Sequence, residues 1–213
     1  LLRGDAMDEA TGMTTGERRP MTDAEIRAVT VGEIDPPVRI VLADYDPAWP
    51  ELFAREAARI RAALGDRVLL LEHVGSTSVP GLAAKARIDV LLVVADSADE
   101  AAYVPDLEAA GYILHIREPE WFEHRMFKGP DTAVNLHVLS PDCAETQRML
   151  SFRDHLRRNE DDRQLYERTK RALAGRVWAH GQNYADAKSG VIDEILARAA
   201  VAAAEPEHGP REG

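Results

Sequence analysis

Short apolar runs alternate along this chain with longer stretches of helical periodicity. The runs at 68–74, 87–94 and 133–139 have the length of buried β-strands, and turn-forming residues bound them. In the segment 47–64, apolar residues recur every three or four positions, which is typical of a helix that buries one face. This order of elements predicts an α/β (α+β) domain, with a mixed β-sheet flanked by helices and a helical C-terminal part.

The same patterns predict the remaining elements. Since parallel neighbours in a sheet need a crossover, we expect a helix at 97–110, ending before Gly111, to connect two of the strands. Near the N-terminus we expect a helix at 23–28, capped by Thr22, and a strand at 38–43. The other predicted elements are strands at 112–117 and 123–127 and helices at 144–158, 161–174 and 183–203.

Length and composition fit one globular domain. The 213 residues are enough for one sizeable core, and 45% hydrophobic with 30% charged residues is a globular balance. Little apolar periodicity precedes residue 37. We therefore expect a flexible N-terminal extension at 1–36, one domain at 37–203 and a disordered tail at 204–213.

Charge and cysteine content exclude several classes of function. The formal net charge of −11 argues against bulk nucleic-acid binding, which needs a positive surface. A single cysteine rules out an internal disulfide and a cysteine-rich zinc site. No apolar run is long enough to span a membrane, and no signal-peptide pattern opens the chain, so we expect a cytoplasmic protein without membrane contact.

The stretch from Glu72 to Val94 holds the strongest chemical signal. A loop of small and hydroxylated residues, Gly75 to Gly81, separates two apolar runs, and Asp89 interrupts the second run. A carboxylate in a buried strand is costly unless a partner, a metal or a hydrogen bond compensates it. The loop lacks the Gly-Lys-Ser/Thr spacing of a P-loop and the glycines of a serine-hydrolase elbow. We therefore expect a functional site of another kind here.

The motif carries a family resemblance. Gly75-Ser76, a loop and a strand with Asp89 together look like the nucleotidyltransferase superfamily signature. More narrowly, the chain resembles the GrpB (UPF0157) family over about residues 38–200. The residues that carry this resemblance are His73-Val-Gly-Ser-Thr-Ser-Val-Pro-Gly-Leu-Ala-Ala-Lys85 with Ile88-Asp89-Val90, and also Tyr45-Asp-Pro-Ala-Trp49, Asn135-Leu-His137-Val, Tyr184 and Lys188.

The resemblance implies a site for nucleotide phosphates and a divalent metal. In the superfamily a Gly-Ser pair opens a turn that receives the phosphates, and an Asp-x-Asp pair on the next strand binds metal. Glycine lets backbone amides approach a phosphate, and two carboxylates spaced by two share one face of a strand. Here Leu91 occupies the second carboxylate position. Asp89 alone cannot form the usual two-metal clamp.

The first hypothesis is metal-assisted transfer of a nucleotidyl group from a nucleoside triphosphate to an acceptor. Its partner is a nucleotide or another phosphate-bearing small molecule, and its cofactor is Mg²⁺, bound by Asp89. His137, which shares one strand face with Asn135, positions the metal or acts as a base. The candidate phosphate-binding residues are Gly75, Ser76, Ser78, Lys85, Arg87 and Arg125.

Three alternatives stay open at this stage. The second hypothesis is a non-catalytic nucleotide-binding or accessory module that has lost the metal clamp, and a third is a pocket for a phosphate-free substrate. Asp89 is also explained as a structural partner of Arg87 or Lys85. A second carboxylate close to Asp89, such as Glu72 or Glu123, would favour the enzyme.

Overall fold

The computed structural model describes residues 19–204 and has a five-stranded mixed sheet at its centre. In chain order the strands are β1 (Val38–Arg39), β2 (Leu70–Val74), β3 (Ile88–Val93), β4 (Ile113–Glu118), β5 (His124–Lys128), β6 (Val134–Leu139) and β7 (Val177–Trp178). The central sheet has the order β2-β3-β6-β5-β4. In this sheet β3 and β6 pair in parallel. The other neighbouring pairs, β2 with β3, β6 with β5 and β5 with β4, are antiparallel. The predicted mixed α/β fold is confirmed.

Seven α-helices surround this sheet in the described part of the chain. They are α1 (Asp23–Val29), α2 (Trp49–Leu64), α3 (Val104–Ala109), α4 (Ala144–Arg158), α5 (Glu160–Ala174), α6 (Gly181–Asp186) and α7 (Ser189–Ala204). The predicted capping of the first helix by Thr22 is confirmed, since its side chain accepts a hydrogen bond from the Glu25 amide. No helix within residues 19–204 is long and apolar enough to cross a membrane.

Three predicted elements are shorter or interrupted. The crossover predicted at 97–110 is a 3-10 turn followed by the short helix α3, because Pro105 fits the first turn of a helix but not its interior. The C-terminal helix predicted at 183–203 is broken into α6 and α7, and Lys188 lies at the break. The strand predicted at 38–43 keeps only β1, with a separate bridge between Ala43 and Ala84.

The two faces of the sheet have different partners. Val90 and Leu136 belong to the main hydrophobic core, which joins the sheet to α2 and α3. Their sequence neighbours Asp89, Asn135 and His137 lie on the opposite face, because side chains alternate along a strand. The parallel pairing of β3 and β6 therefore brings these three polar residues together.

The C-terminal helices fix the loop that follows β2. Val79 and Leu82, both fully buried, pack in one hydrophobic cluster with Leu156 of α4, Tyr166 of α5 and Ile195 of α7. Burying an aliphatic side chain of this size contributes about 1.5–3 kcal/mol. The loop thus has its own core contacts.

Part of the predicted N-terminal extension packs against the domain. The Val31 amide donates to the His115 carbonyl (2.8 Å), Thr30 forms a β-bridge with Ile116, and Ile26 is buried. Residues 1–18 and 205–213, which include most of the predicted tail, lie outside the described residues. The domain boundaries stay predictions.

Candidate functional site

A cavity of about 440 Å³ lies between the polar face of the sheet and the C-terminal helices. Gly75 and Ser76 line it from the loop, Asp89 from β3, and Asn135 and His137 from β6. The structure therefore brings together the loop, the carboxylate and the polar strand pair that the sequence singles out. The other lining residues that bear on its chemistry are Lys85, Arg87, Glu118, His124, Tyr166, Lys170, Tyr184 and Lys188.

Gly75 allows the loop to approach Asp89 closely. Its φ of +68° and ψ of −172° fall in a region that is essentially restricted to glycine. A Cβ atom at this position would lie 2.3 Å from Oδ2 of Asp89, far inside van der Waals contact. The following residues Ser76–Ser78 form a 3-10 turn. The predicted Gly-Ser turn is therefore present beside the carboxylate.

Asp89 is held by polar groups of β6. Its Oδ1 accepts a hydrogen bond from Nδ2 of Asn135 (2.9 Å) and lies 3.9 Å from Nε2 of His137. Burial alone would raise the pKa of Asp89, but His137, Asn135 and the charge of Lys85 outweigh it, so the pKa lies below its ordinary value. Asp89 is therefore ionised at neutral pH.

The alternative role of Asp89 as a salt-bridge partner does not match these contacts. The Arg87 guanidinium donates to Oδ1 of Asn135 (3.0 Å). Among the described residues, neither Arg87 nor Lys85 lies within 4.0 Å of a carboxylate oxygen of Asp89. Lys85 acts on Asp89 only through its charge at longer range.

The two carboxylates considered as partners of Asp89 are placed or engaged elsewhere. Glu72, on the neighbouring strand, binds Arg153 (2.7 Å), and Glu123 is exposed in the turn immediately before β5. Within residues 19–204, no three His, Cys, Asp or Glu side chains are arranged to hold a metal ion. The donor set does not fit a two-metal clamp. It fits one Mg²⁺ shared with a ligand, because Mg²⁺ is commonly bound by one or two carboxylates together with substrate phosphates.

Three lysines gather at the loop end of the cavity. Nζ of Lys170 donates to Oγ of Ser76 (3.0 Å) and to the Ala83 carbonyl, and it lies 4.8 Å from the Tyr166 ring centroid. Nζ of Lys85 and Nζ of Lys188 lie 5.3 and 4.7 Å from the Tyr184 ring centroid. In the part of the chain that the structure describes, none of the three ammonium groups has a carboxylate within 4.0 Å.

Burial of the three ammonium groups lowers the pKa of each lysine. Burial, together with the charge of Lys188, lowers the pKa of Lys170 to about 7 and that of Lys85 to about 8. Burial also lowers the pKa of Lys188. A buried cation without an anionic partner is unfavourable, and a bound anion would relieve this. The lysines therefore give this end of the cavity a positive charge, which the charge of Asp89 offsets only in part.

A chain of buried polar contacts reaches His137 from the edge of the sheet. Oε2 of Glu118 lies 2.7 Å from Nδ1 of His124, and Nε2 of His124 lies 3.0 Å from Nδ1 of His137. In one arrangement Nδ1 of His124 donates to Glu118, and Nε2 of His124 accepts from Nδ1 of His137. The remaining ring nitrogen of His137, Nε2, faces the cavity and lies 3.9 Å from Oδ1 of Asp89, where it can hold or give up a proton.

Two predicted phosphate-binding residues have other roles. The Ser78 hydroxyl donates to the Gly75 carbonyl (2.6 Å), and the Ser78 carbonyl accepts from Arg157, so Ser78 stabilises the turn. Arg125 lies on the opposite face of β5, where Nε donates to Oε1 of Glu100 (2.5 Å). The structure does not bring Arg125 into the cavity.

Sequence reasoning missed Lys170, Glu118 and His124. A signal existed for Lys170, because it follows Tyr166 by four residues and so shares the buried stripe of its helix, where a lysine is unexpected. Glu118 and His124 carried no comparable signal. Their meeting depends on the pairing of β4 with β5, where they are direct partners.

Fold and site together define an α/β protein with a cation-lined cavity on one face of a mixed sheet. The family model described as GrpB protein matches residues 39–198, and the chain belongs to the GrpB family.

Similar proteins cover most of the chain. A UPF0157 protein of Halalkalibacterium halodurans is 61% identical over 181 residues, which are 84% of this chain and 93% of that protein. One from Streptomyces coelicolor is 44% identical over 189 residues, 89% of this chain and 97% of that protein. The crystal structure of conserved protein GrpB from Enterococcus faecalis is 32% identical, with a TM-score of 0.66. The match covers 78% of this chain and all of that one.

Proposed function

We propose that the cavity binds a phosphate-bearing small molecule of the nucleotide class. The observation that carries this proposal is the cluster of Lys85, Lys170 and Lys188, buried or half-buried and without carboxylate partners in the described chain. Phosphate oxygens would take the place of those missing partners. Ser76 lies within hydrogen-bond distance of Lys170 and adds a hydroxyl beside the glycine turn.

A second proposed function adds chemistry to this binding site. The contacts from Glu118 through His124 to His137 favour nucleotidyl transfer, because they orient His137 with Nε2 at the cavity, where its neutral form would act as a base. In this step the acceptor hydroxyl gives its proton to Nε2, its oxygen forms a bond to the α-phosphorus of a nucleoside triphosphate, and the bond to pyrophosphate breaks. The lysines stabilise the departing charge.

Mg²⁺ belongs to this second proposal. Asp89, ionised and turned into the cavity, would hold the ion together with phosphate oxygens of the ligand. When bound, the ion would neutralise phosphate charge and orient the phosphate chain.

Thermal unfolding with ligands tests the binding proposal. We expect pyrophosphate and at least one of ATP, GTP, CTP and UTP to raise the melting temperature of the protein. A ligand present at a hundred times its dissociation constant adds about 2.7 kcal/mol to the free energy of unfolding. Each ligand is measured with and without Mg²⁺. If neither pyrophosphate nor any triphosphate stabilises the protein, the binding proposal is wrong, and the transfer proposal fails with it.

Asp89→Asn separates the metal role from a structural role. Because Asp89 forms no ion pair with Arg87 or Lys85, the ligand-free variant should stay folded and lose at most about 1.5–3 kcal/mol, the value of one hydrogen bond to a charged group. We also expect Mg²⁺ to add nothing to the stabilisation of the variant by ATP, since an amide is a poor ligand for a hard cation.

The exposed Asp66→Asn serves as the matched control for this variant, and it should keep the Mg²⁺ effect of the wild type. Denaturant unfolding and melting temperatures measure both variants. An unchanged Mg²⁺ effect in Asp89→Asn would remove Asp89 from the metal site.

A further inference from the structure

The segment 21–35, here called the N-terminal strap, closes one side of the cavity. It precedes the residues 39–198 that match the family model. Its residues nevertheless line the cavity, and most of them are apolar: Met21, Ile26, Val29, Thr30, Ile34 and Asp35. The strap is thus a wall of the candidate site that this chain builds outside the matched region.

The strap is anchored on two sides of the cavity. Besides the backbone pairing of Thr30 and Val31 with β4, Nζ of Lys128 donates to Oδ1 of Asp35 (2.6 Å). At the other end, the Met21 amide donates to Oδ2 of Asp186 in α6 (3.0 Å). The strap therefore joins the edge of the sheet to the helix that precedes Lys188.

The strap lies at the far edge of the sheet from the loop and its three lysines. Strand β4, which the strap extends, is separated from β3 by β6 and β5. At a strand spacing of about 4.8 Å, β4 lies roughly 14 Å from the strand that carries Asp89. Next to the strap, the sheet contributes the apolar side chains of Ile116 and Met126 to the cavity. The strap side of the cavity therefore offers apolar side chains, beside His115 and the Lys128–Asp35 ion pair, whereas the loop end holds the three lysines.

We propose that the N-terminal strap is the specificity element of this cavity and binds the apolar, non-phosphate part of an organophosphate. The inference rests on the proposed binding of phosphates by the lysines. Its ligand is a phosphate ester or anhydride that carries an aromatic or aliphatic group. Inorganic pyrophosphate has no apolar group to place against the strap, whereas burial of such a group there adds affinity in proportion to the area removed from water.

The test compares three diphosphates by isothermal titration calorimetry on the full chain. Pyrophosphate carries no apolar group, ADP carries an aromatic one, and geranyl diphosphate carries an aliphatic one. We expect at least one organic diphosphate to bind tenfold or more tightly than pyrophosphate. Ile34→Ser should remove most of that advantage and leave the affinity for pyrophosphate unchanged.

Further variants keep the result interpretable. Ile26→Ala is a second strap variant, and Arg27→Ala, on the exposed side of α1, is the matched control that should behave as the wild type. Circular dichroism checks that each variant is folded. The proposed role of the strap is wrong if the wild type binds all three ligands with equal affinity. It is also wrong if both strap variants still bind an organic diphosphate more tightly than pyrophosphate. Either result leaves the proposed phosphate binding intact. No binding of any of the three overturns the proposed function as well.

Discussion

Replacing Lys170 with methionine should weaken pyrophosphate binding at least a hundredfold. The side chain of Lys170 is only 2% exposed, and its ammonium group is fixed between Ser76 and the Ala83 carbonyl at the loop end of the cavity. A hundredfold loss corresponds to about 2.8 kcal/mol, which is within the range for a buried hydrogen bond to a charged group. Calorimetric titration of both proteins with pyrophosphate measures the difference.

The same variant should change how stability depends on pH. The pKa of Lys170 is about 7 in the folded protein, against an ordinary value of 10.5. Between these values the unfolded chain binds more protons, so this lysine makes the wild type more stable as the pH rises from 7 to about 10. Its contribution over that window is on the order of 3 kcal/mol. Below pH 7 both states hold the proton, and the penalty is constant.

Urea unfolding at pH 7 and pH 9.5 measures this contribution as a difference between proteins. In Lys170→Met, the free energy of unfolding should not show the increase with pH that Lys170 gives the wild type. Arg168→Met, an exposed change on the same helix, is the control and should keep both the rise and the affinity for pyrophosphate. If Lys170→Met and Arg168→Met bind pyrophosphate equally well, Lys170 has no part in the site.

Gly75→Ala should destabilise the protein by about 3–5 kcal/mol. The backbone conformation of Gly75 costs roughly 1–3 kcal/mol for any residue with a Cβ atom. The added methyl group would also meet the Asp89 carboxylate at 2.3 Å and force it away from Asn135. Denaturant unfolding measures the loss.

Gly81→Ala isolates the contact with Asp89 from the backbone strain. Gly81 also has a positive φ, +78°, but a Cβ atom there would meet nothing within 4 Å. This control should therefore cost only about 1–3 kcal/mol. Combining Gly75→Ala with Asp89→Ala should recover part of the extra loss. Equal losses in Gly75→Ala and Gly81→Ala would mean that the loop does not press against Asp89.

Much of the fold followed from local patterns in the sequence. The bounds predicted for α4 agree with the structure, and the three long apolar runs became β2, β3 and β6. These elements are predictable because the spacing of their apolar residues matches the period of a helix or a strand and so shows which side of each element is buried. The glycine turn beside Asp89 also followed from residue type, since close approach of a backbone to a carboxylate requires glycine.

The rest of the site depended on which face of a strand points to the cavity. Side chains alternate along β5, so Arg125 and its neighbour Met126 point to opposite faces of the sheet. Only the pairing of β5 with β6 decides which of the two faces the cavity. There Met126 is opposite His137, and Arg125 is opposite Val138, whose side chain lies in the core. The position of Lys170 similarly depends on how α5 packs against a loop almost ninety residues earlier.

The cluster that joins Val79 and Leu82 to α4, α5 and α7 has a consequence for the motion of the site. A glycine-rich loop without such contacts opens locally at little cost, and a ligand must then order it at the expense of affinity. In this protein the turn can detach only if side chains leave a core shared with three helices. Opening of the loop is therefore coupled to partial unfolding of the C-terminal helices, so a ligand bound here would not have to order the loop.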